Sequence, residues 1–241
     1  MITVQDVELR AGARLLLDGV TFRVQPGDRI GLVGRNGAGK TTLTKTLAKE
    51  TLPAAGTITH TGEVGYLPQD PRTGDLDTLG RDRVLSARGL DEVLRNLEKM
   101  QIQLAESPDD ADLLRRYGNL EERFSNLGGY SAESEAARIC SNLGLPERAL
   151  GQPIGTLSGG QRRRIELARI LFSDATTLLL DEPTNHLDAD SIVWLRDFLK
   201  KHNGGLVVIS HDVELLDAVV NKVFHLDANR AELDQYNVGW K

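Results

Sequence analysis

The chain has 241 residues, with 29 Lys and Arg against 35 Asp and Glu, a net charge of −6 and 40% hydrophobic residues. That length allows one large α/β domain, or a core with a smaller lobe. The acidic balance argues against generic polyanion binding, so any nucleic-acid contact needs a local basic patch.

No apolar run approaches the length of a membrane span, and the mean hydropathy is −0.28. Residues 1–6 show neither a basic nor an apolar leader region, so no export signal is read there. The single cysteine, Cys140, sits among Ala136, Ala137, Ile139 and Leu143 in a helical pattern. It reads as a buried small hydrophobe rather than a nucleophile or ligand. With no disulfide framework, a cytoplasmic setting is expected.

Residues 2–9 and 20–24 alternate apolar and polar positions, as half-buried antiparallel strands do. After the turn signal Pro26-Gly27-Asp28, an apolar run at 29–33 leads into Gly34-Arg35-Asn36-Gly37-Ala38-Gly39-Lys40-Thr41-Thr42 and a helical run to Lys49. This strand, glycine loop, helix order is that of a P-loop. Its glycines let successive amides turn inward around an anion at a helix N-terminus. Lys40 can then reach the β- and γ-phosphates of a nucleoside triphosphate, and the Thr41 hydroxyl can ligate Mg²⁺. Short strands are expected at 57–59 and 64–67, ending in the polar loop Pro68-Gln69-Asp70.

From about Pro71 to Gly155 the sequence turns charged and helical. Leu90, Leu94, Leu97 and Leu104 form one stripe, with Gln101 at the missing position, and Leu113, Tyr117, Leu120, Phe124 and Leu127 form another. The spacing predicts a helical hairpin over about 90–127, with Ser107 as N-cap, Pro108 at the first helical position, and Gly128-Gly129 as the stop. It reads equally as an arm that touches a partner or as a hairpin packed on its own lobe. Its net charge is acidic, which gives no rod for RNA.

Leu157-Ser158-Gly159-Gly160-Gln161 opens another helix and supplies a hydroxyl and approachable amides, a second anion-binding element. The following Arg162, Arg163 and Arg164 read as a solvated helix face. Leu178-Leu179-Leu180-Asp181-Glu182 is an apolar strand ending in two carboxylates. Asp181 can hold Mg²⁺, and Glu182 can polarise an attacking water. An amphipathic helix carries Ile192, Leu195, Phe198 and Leu199 on one face. The strand Leu206-Val207-Val208-Ile209 then runs into His211, placed where ligands of parallel sheets bind and favoured as a γ-phosphate contact. Strand-like runs at 222–227 and 230–233 precede the tail 236–241.

The ordered set GRNGAGKTT, LSGGQ, LLLDE and a strand ending in His resembles an ATP-binding-cassette (ABC) ATPase over the whole chain. The resemblance implies a P-loop cassette fold, α/β, with a mixed sheet core, an antiparallel β subdomain and a helical subdomain carrying an arm-like hairpin. Residues 1–69 and 166–241 would form the nucleotide-binding core, and 70–165 the helical subdomain. It also implies that Gly34, Asn36, Gly37, Ala38, Gly39, Lys40, Thr41 and Thr42 bind ATP, and that Thr41, Gln69 and Asp181 hold Mg²⁺. Glu182, His211 and Gln69 would be catalytic. Ser158, Gly159, Gly160 and Gln161 would act on ATP bound by a partner cassette, and Asp188 would end the D-loop.

Glu182-Pro183-Thr184-Asn185-His186-Leu187-Asp188 resembles the EPTNHLD of ABC-F proteins, and the stretch from Gln69 to Ser158 is long for a transporter cassette. ABC-F first cassettes carry an inserted arm in this region. By resemblance, the chain is one cassette, the first, of a two-cassette cytoplasmic protein that acts on the ribosome, with rRNA and tRNA as expected partners, in translation regulation or antibiotic resistance. The other readings are the ATPase subunit of a membrane transporter and an ATP-gated scaffold. One departure stands out. The family places an aromatic residue after the first strand to stack on adenine, and here Ala11 stands there, with no aromatic between Met1 and Phe22. Stacking contributes about 1–3 kcal/mol per base, so weak affinity or loose purine selectivity is expected.

Overall fold

The structure, a computed structural model, describes residues 1–70 and 74–240. Strands β1 (Ile2–Ala11) and β2 (Arg14–Val24) are followed by β3 (Arg29–Val33), α1 (Lys40–Leu47), β4 (Ala55–His60) and β5 (Val64–Leu67). Then come α2 (Gly80–Leu85), α3 (Asp91–Glu106), α4 (Ala111–Asn126), α5 (Gly129–Asn142), α6 (Glu147–Leu150) and α7 (Gly159–Phe172). The chain closes with β6 (Thr177–Asp181), α8 (Ala189–Lys201), β7 (Gly205–Ile209), α9 (Val213–Val219), β8 (Lys222–Asp227) and β9 (Glu232–Tyr236). Two compact units result, 1–70 with 174–240, and 74–173. The expected start of the helical segment at Pro71 lies outside the described residues.

In the first unit, a six-stranded sheet runs β5-β6-β7-β3-β8-β9, parallel except for β9. Strands β6 and β7 are buried at every residue. They are apolar without alternation because a parallel sheet is covered on both faces. The antiparallel sheet β2-β1-β4 packs its apolar face into the same core, where Val4, Leu17 and Phe22 join Ile30, Leu43, Leu179, Val207 and Phe224. Phe22 meets Phe224 edge-on at 5.2 Å.

Two strand expectations shift. Strand β2 begins at Arg14 rather than Val20, making a long hairpin with β1. Leu16 and Leu17 are both buried beside an irregularity in the register, which breaks the alternation a strand is read from. At the other end, Arg230 belongs to a turn, held by Asp227 at 2.8 Å and Asp234 at 2.7 Å, so the last strand starts at Glu232.

The second unit is helical. Helix α7 runs unbroken to Phe172, so this unit extends to Ser173 and past the boundary expected after residue 165. Helices α3 and α4 form the expected hairpin, with Leu94, Leu97, Leu113 and Phe124 buried. Gln101, the polar member of its stripe, donates to the Tyr117 hydroxyl at 2.9 Å across the pair. Leu127 leaves the seam and is 53% exposed. The second hairpin helix is capped by Asp110 rather than Ser107, since the Asp110 carboxylate accepts from the Asp112 and Leu113 amides. Ile102 and Leu114, near the hairpin's turn, are exposed.

The arginines after the signature are not all solvated, because Arg163 is buried. Glu166, one turn on and only 2% exposed, accepts from Arg83 at 2.6 and 3.1 Å and from Arg169 at 3.0 Å. Cys140 is buried, and burial pushes its thiol up to about 12. Among the described residues, no helix is long and apolar enough to cross a membrane.

Candidate nucleotide site

The C-terminal ends of β3, β5, β6 and β7 share one edge of the parallel sheet, where crossover loops place ligand-binding residues. A cavity of about 430 Å³ opens there. It is lined by Asn36, Gly37, Gly39, Lys40, Thr41 and Thr42 of the glycine loop and by Gln69, Asp181, Glu182 and His211. Four stretches far apart in sequence therefore meet in one place. Gly34 begins the loop at the end of β3, and Ala38 is buried beneath it. Gly39, with φ +106, caps α1, so the helix N-terminus and its dipole face the cavity.

The Lys40 ammonium donates to the Gly34 carbonyl at 2.8 Å and the Arg35 carbonyl at 3.2 Å, folding back along the loop. The Thr41 hydroxyl donates to the Asp181 carboxylate at 2.8 Å. Those two oxygens suit Mg²⁺, which takes one or two protein oxygens and completes its shell with water and phosphate. No cluster of three or more His, Cys, Asp and Glu donors occurs among the described residues, and Mg²⁺ does not need one.

Glu182 follows β6 with φ +51, a left-handed conformation that a non-glycine residue adopts only where its surroundings impose it. The bend is held by its amide, which donates to the Ile209 carbonyl at 2.8 Å. Glu182 is 7% exposed, and burial raises its pKa above the usual carboxylate range. The His211 amide donates to one carboxylate oxygen at 3.3 Å, and the imidazole Nε2 lies 3.4 Å from the other. These contacts join the acid after β6 to the histidine after β7, with the ring itself exposed.

Asp188 lies outside the cavity lining and caps α8, accepting from the Ser191 amide at 2.8 Å. In the helical unit, Ser158 and Gln161 hold each other in a capping box: the Gln161 amide donates to Ser158 Oγ at 3.2 Å and the Ser158 amide to Gln161 Oε1 at 3.0 Å. Gly159 and Gly160 form the first turn of α7, whose amides emerge at the positive end of its dipole. The signature and the P-loop therefore belong to different units of this chain.

Motif reading singled out Ala11 but missed three other lining residues, Arg14 and Leu16 of the β1–β2 hairpin and Ile209 at the end of β7. Arg14 Nη1 donates to the Gly37 carbonyl at 3.4 Å. Only the absent aromatic had drawn attention to that segment.

A phosphate-binding loop, a Thr–Asp oxygen pair and a buried glutamate joined to an exposed histidine on one sheet edge define a P-loop nucleotide-binding protein. The sequence profile described as ABC transporter matches residues 17–185, and the chain belongs to that family of ATP-binding cassettes. It is 35% identical over 227 residues to the probable ATP-binding protein YheS of Escherichia coli, covering 94% of this chain and 34% of that protein. It is 37% identical over 232 residues to the tylosin resistance ATP-binding protein TlrC of Streptomyces fradiae, covering 94% and 42%. These relatives bear out the ABC-F resemblance. The chain spans about a third to two-fifths of their length.

Among solved structures, an ATP-binding subunit of an ABC transporter aligns with TM-score 0.72 at 18% identity, over 98% of this chain and 90% of that one. A dimeric ATP-binding cassette in a post-hydrolysis state, bound to ADP and Pi, aligns with TM-score 0.67 at 18% identity, over 98% of each. At that identity they establish the cassette fold.

Proposed function

We propose that the chain is an ATP-binding and ATP-hydrolysing cassette of a cytoplasmic ABC-F protein that acts on the ribosome. It would work by ATP-driven, head-to-tail pairing with a second cassette. The observation that carries the nucleotide part is the meeting of Lys40, Thr41, Gln69, Asp181, Glu182 and His211 on one cavity.

On this reading, the loop amides from Asn36 to Thr42 and the Lys40 ammonium hold the phosphates of ATP. Thr41, Asp181 and Gln69 would hold Mg²⁺, which would supply charge neutralisation to the phosphates. Glu182 orients and deprotonates the attacking water, and its raised pKa brings it closer to the range where a base works at neutral pH. His211, tethered to Glu182, holds the γ-phosphate. Ser158, Gly159 and Gly160, with Gln161 fixing the turn, present amides to ATP bound by the partner cassette, adding donors as equatorial charge develops. Asp188 closes the D-loop. A single cassette thus binds ATP and turns it over slowly.

Three features support the ribosomal part: the Asn185-His186-Leu187-Asp188 loop, the hairpin with exposed apolar residues near its turn, and a relative described as conferring tylosin resistance. The second reading, a transporter's ATPase subunit, is favoured by the family description and by the first of the solved structures.

A pelleting experiment separates them. In the full two-cassette protein, Glu182 and its counterpart are changed to Gln so that ATP binds without cleavage. Sedimentation with ribosomes that requires ATP is the expected result. Sedimentation with membranes and not with ribosomes would overturn the ribosomal reading and leave the ATPase intact.

A further inference from the structure

We propose that Tyr66 is a positioning residue of the Mg²⁺ site, whose buried hydroxyl fastens together the elements that supply Thr41, Gln69 and Asp181. The inference rests on the nucleotide and metal reading above and adds a residue to that same site.

The three oxygens come from separate elements: Thr41 from α1, Gln69 from the loop after β5, and Asp181 from the end of β6. Tyr66 stands where those elements meet. It lies on β5, three residues before Gln69, and pairs with Leu179 of β6, two residues before Asp181. Paired residues of a parallel ladder point to one face, as do residues two apart on a strand. Tyr66, Leu179 and Asp181 therefore share a face. Helix α1 covers it, since Tyr66 packs on the cluster that holds Leu43, Leu47 and Leu179, and the Thr41 hydroxyl bonds Asp181.

The Tyr66 ring is half-buried and its hydroxyl is enclosed, yet the hydroxyl has no hydrogen-bond partner among the described residues. A buried hydroxyl left unpaired is costly, so it calls for a use. Beside it lies Thr44, fully buried and one turn along α1 from Thr41. The Thr44 hydroxyl donates to the Thr41 carbonyl at 3.0 Å, shared with the Lys40 carbonyl at 3.3 Å, and its oxygen can still accept. A bond from the Tyr66 hydroxyl to Thr44 Oγ completes a relay from β5 to the Thr41 backbone. Burial, with the Asp181 and Glu50 carboxylates nearby, pushes the phenol up to about 12, so it is a donor at neutral pH. Mg²⁺ tolerates little departure from its preferred geometry. A relay that fixes α1 against β5 and β6 therefore favours binding of the ion, and it closes when Thr41 and Asp181 share one.

The test titrates the 241-residue chain with ATP by calorimetry, in Mg²⁺ and in EDTA. The variants are wild type, Tyr66→Phe, Thr44→Val, the double change and Lys40→Ala, each also unfolded in urea without nucleotide. Tyr66→Phe should weaken ATP binding in Mg²⁺ by roughly fivefold to tenfold and change binding in EDTA by less than about twofold. Its stability without nucleotide should match or exceed that of the wild type, because the lost hydroxyl was unpaired. The double change should bind ATP in Mg²⁺ no more weakly than the weaker single variant, since both cut one relay. Unchanged binding in Mg²⁺ for Tyr66→Phe, or losses that multiply in the double change, would overturn the inference. So would a loss of stability with equal weakening in EDTA, the mark of a merely structural tyrosine. A wild type that binds ATP equally in Mg²⁺ and EDTA, or Lys40→Ala binding as the wild type does, would instead overturn the reading beneath it.

Discussion

Gly34 and Gly37 occupy the same loop with positive φ, +154 and +74, yet their surroundings differ. A Cβ on Gly37 meets nothing within 4 Å, while one on Gly34 lies 2.8 Å from the Leu226 carbonyl oxygen. That oxygen belongs to β8, paired to β9 through Leu226 and Leu233, so it cannot swing away as a side-chain tip could. Alanine at either position pays the left-handed penalty of about 1–2 kcal/mol, offset by about 0.4–1 kcal/mol from a stiffer unfolded chain. Only Gly34→Ala adds the steric term, about 1–3 kcal/mol for forced displacement in a packed region. The φ of +154 at Gly34 lies further from the αL well than the +74 at Gly37, so the difference between the variants combines the contact with the added backbone strain at Gly34. Urea unfolding followed by far-UV circular dichroism should show Gly34→Ala less stable than Gly37→Ala by about 1–3 kcal/mol. For a chain of this size that is roughly 2–12 °C in Tm. Equal losses would refute the close approach of the loop to β8.

The remaining expectations come from two buried carboxylates, Glu182 and Glu166. Burial holds the Glu182 pKa above the ordinary carboxylate value, and Glu182 must be ionised to take a proton from water. The acid limb of ATP hydrolysis should therefore lie above that ordinary value, about 4.3, and a limb at or below it would contradict the base assignment. With its folded pKa raised, Glu182 contributes stability at low pH that is lost as pH rises through the folded value, so Glu182→Gln should gain on the wild type as pH rises from about 4 to 8. Unfolding free energies across that range check the sign. In the helical unit, Arg83→Ala leaves Glu166 buried with Arg169 as its remaining arginine and should cost about 2–3 kcal/mol, below the full penalty for breaking a buried pair. Arg83→Met with Glu166→Leu should stay within about 1 kcal/mol of wild type in the same urea assay.

The nucleotide site was legible because its chemistry sits in contiguous motifs at strand ends. Glycines with Lys40 and Thr41, the acidic pair after a leucine run, and a histidine after a valine run each announce their place on a parallel sheet. Contacts between distant segments were not legible. Ala11 marked the hairpin through the resemblance, but no motif marks Arg14, whose placement depends on a hairpin whose alternation is broken at Leu16 and Leu17. The left-handed backbone at Glu182 has no glycine to signal it and comes from its hydrogen bond to β7. Arg163 read as solvent-facing because helix charges usually are, whereas packing in the helical unit encloses it. Ser107 lost the cap to Asp110 because the helix starts three residues later, where a carboxylate can reach two amides at once.

The central claim is that this cavity binds ATP through Lys40 and cleaves it with Glu182 as base. Its most direct test is to incubate wild type, Glu182→Gln and Lys40→Ala with Mg²⁺ and γ-labelled ATP at high protein concentration, then measure ATP retained and phosphate released. Glu182→Gln should retain about one intact ATP per chain and release phosphate at least roughly 100-fold more slowly than wild type, while Lys40→Ala retains little. Cleavage by Glu182→Gln at the wild-type rate, or full retention by Lys40→Ala, would contradict the account.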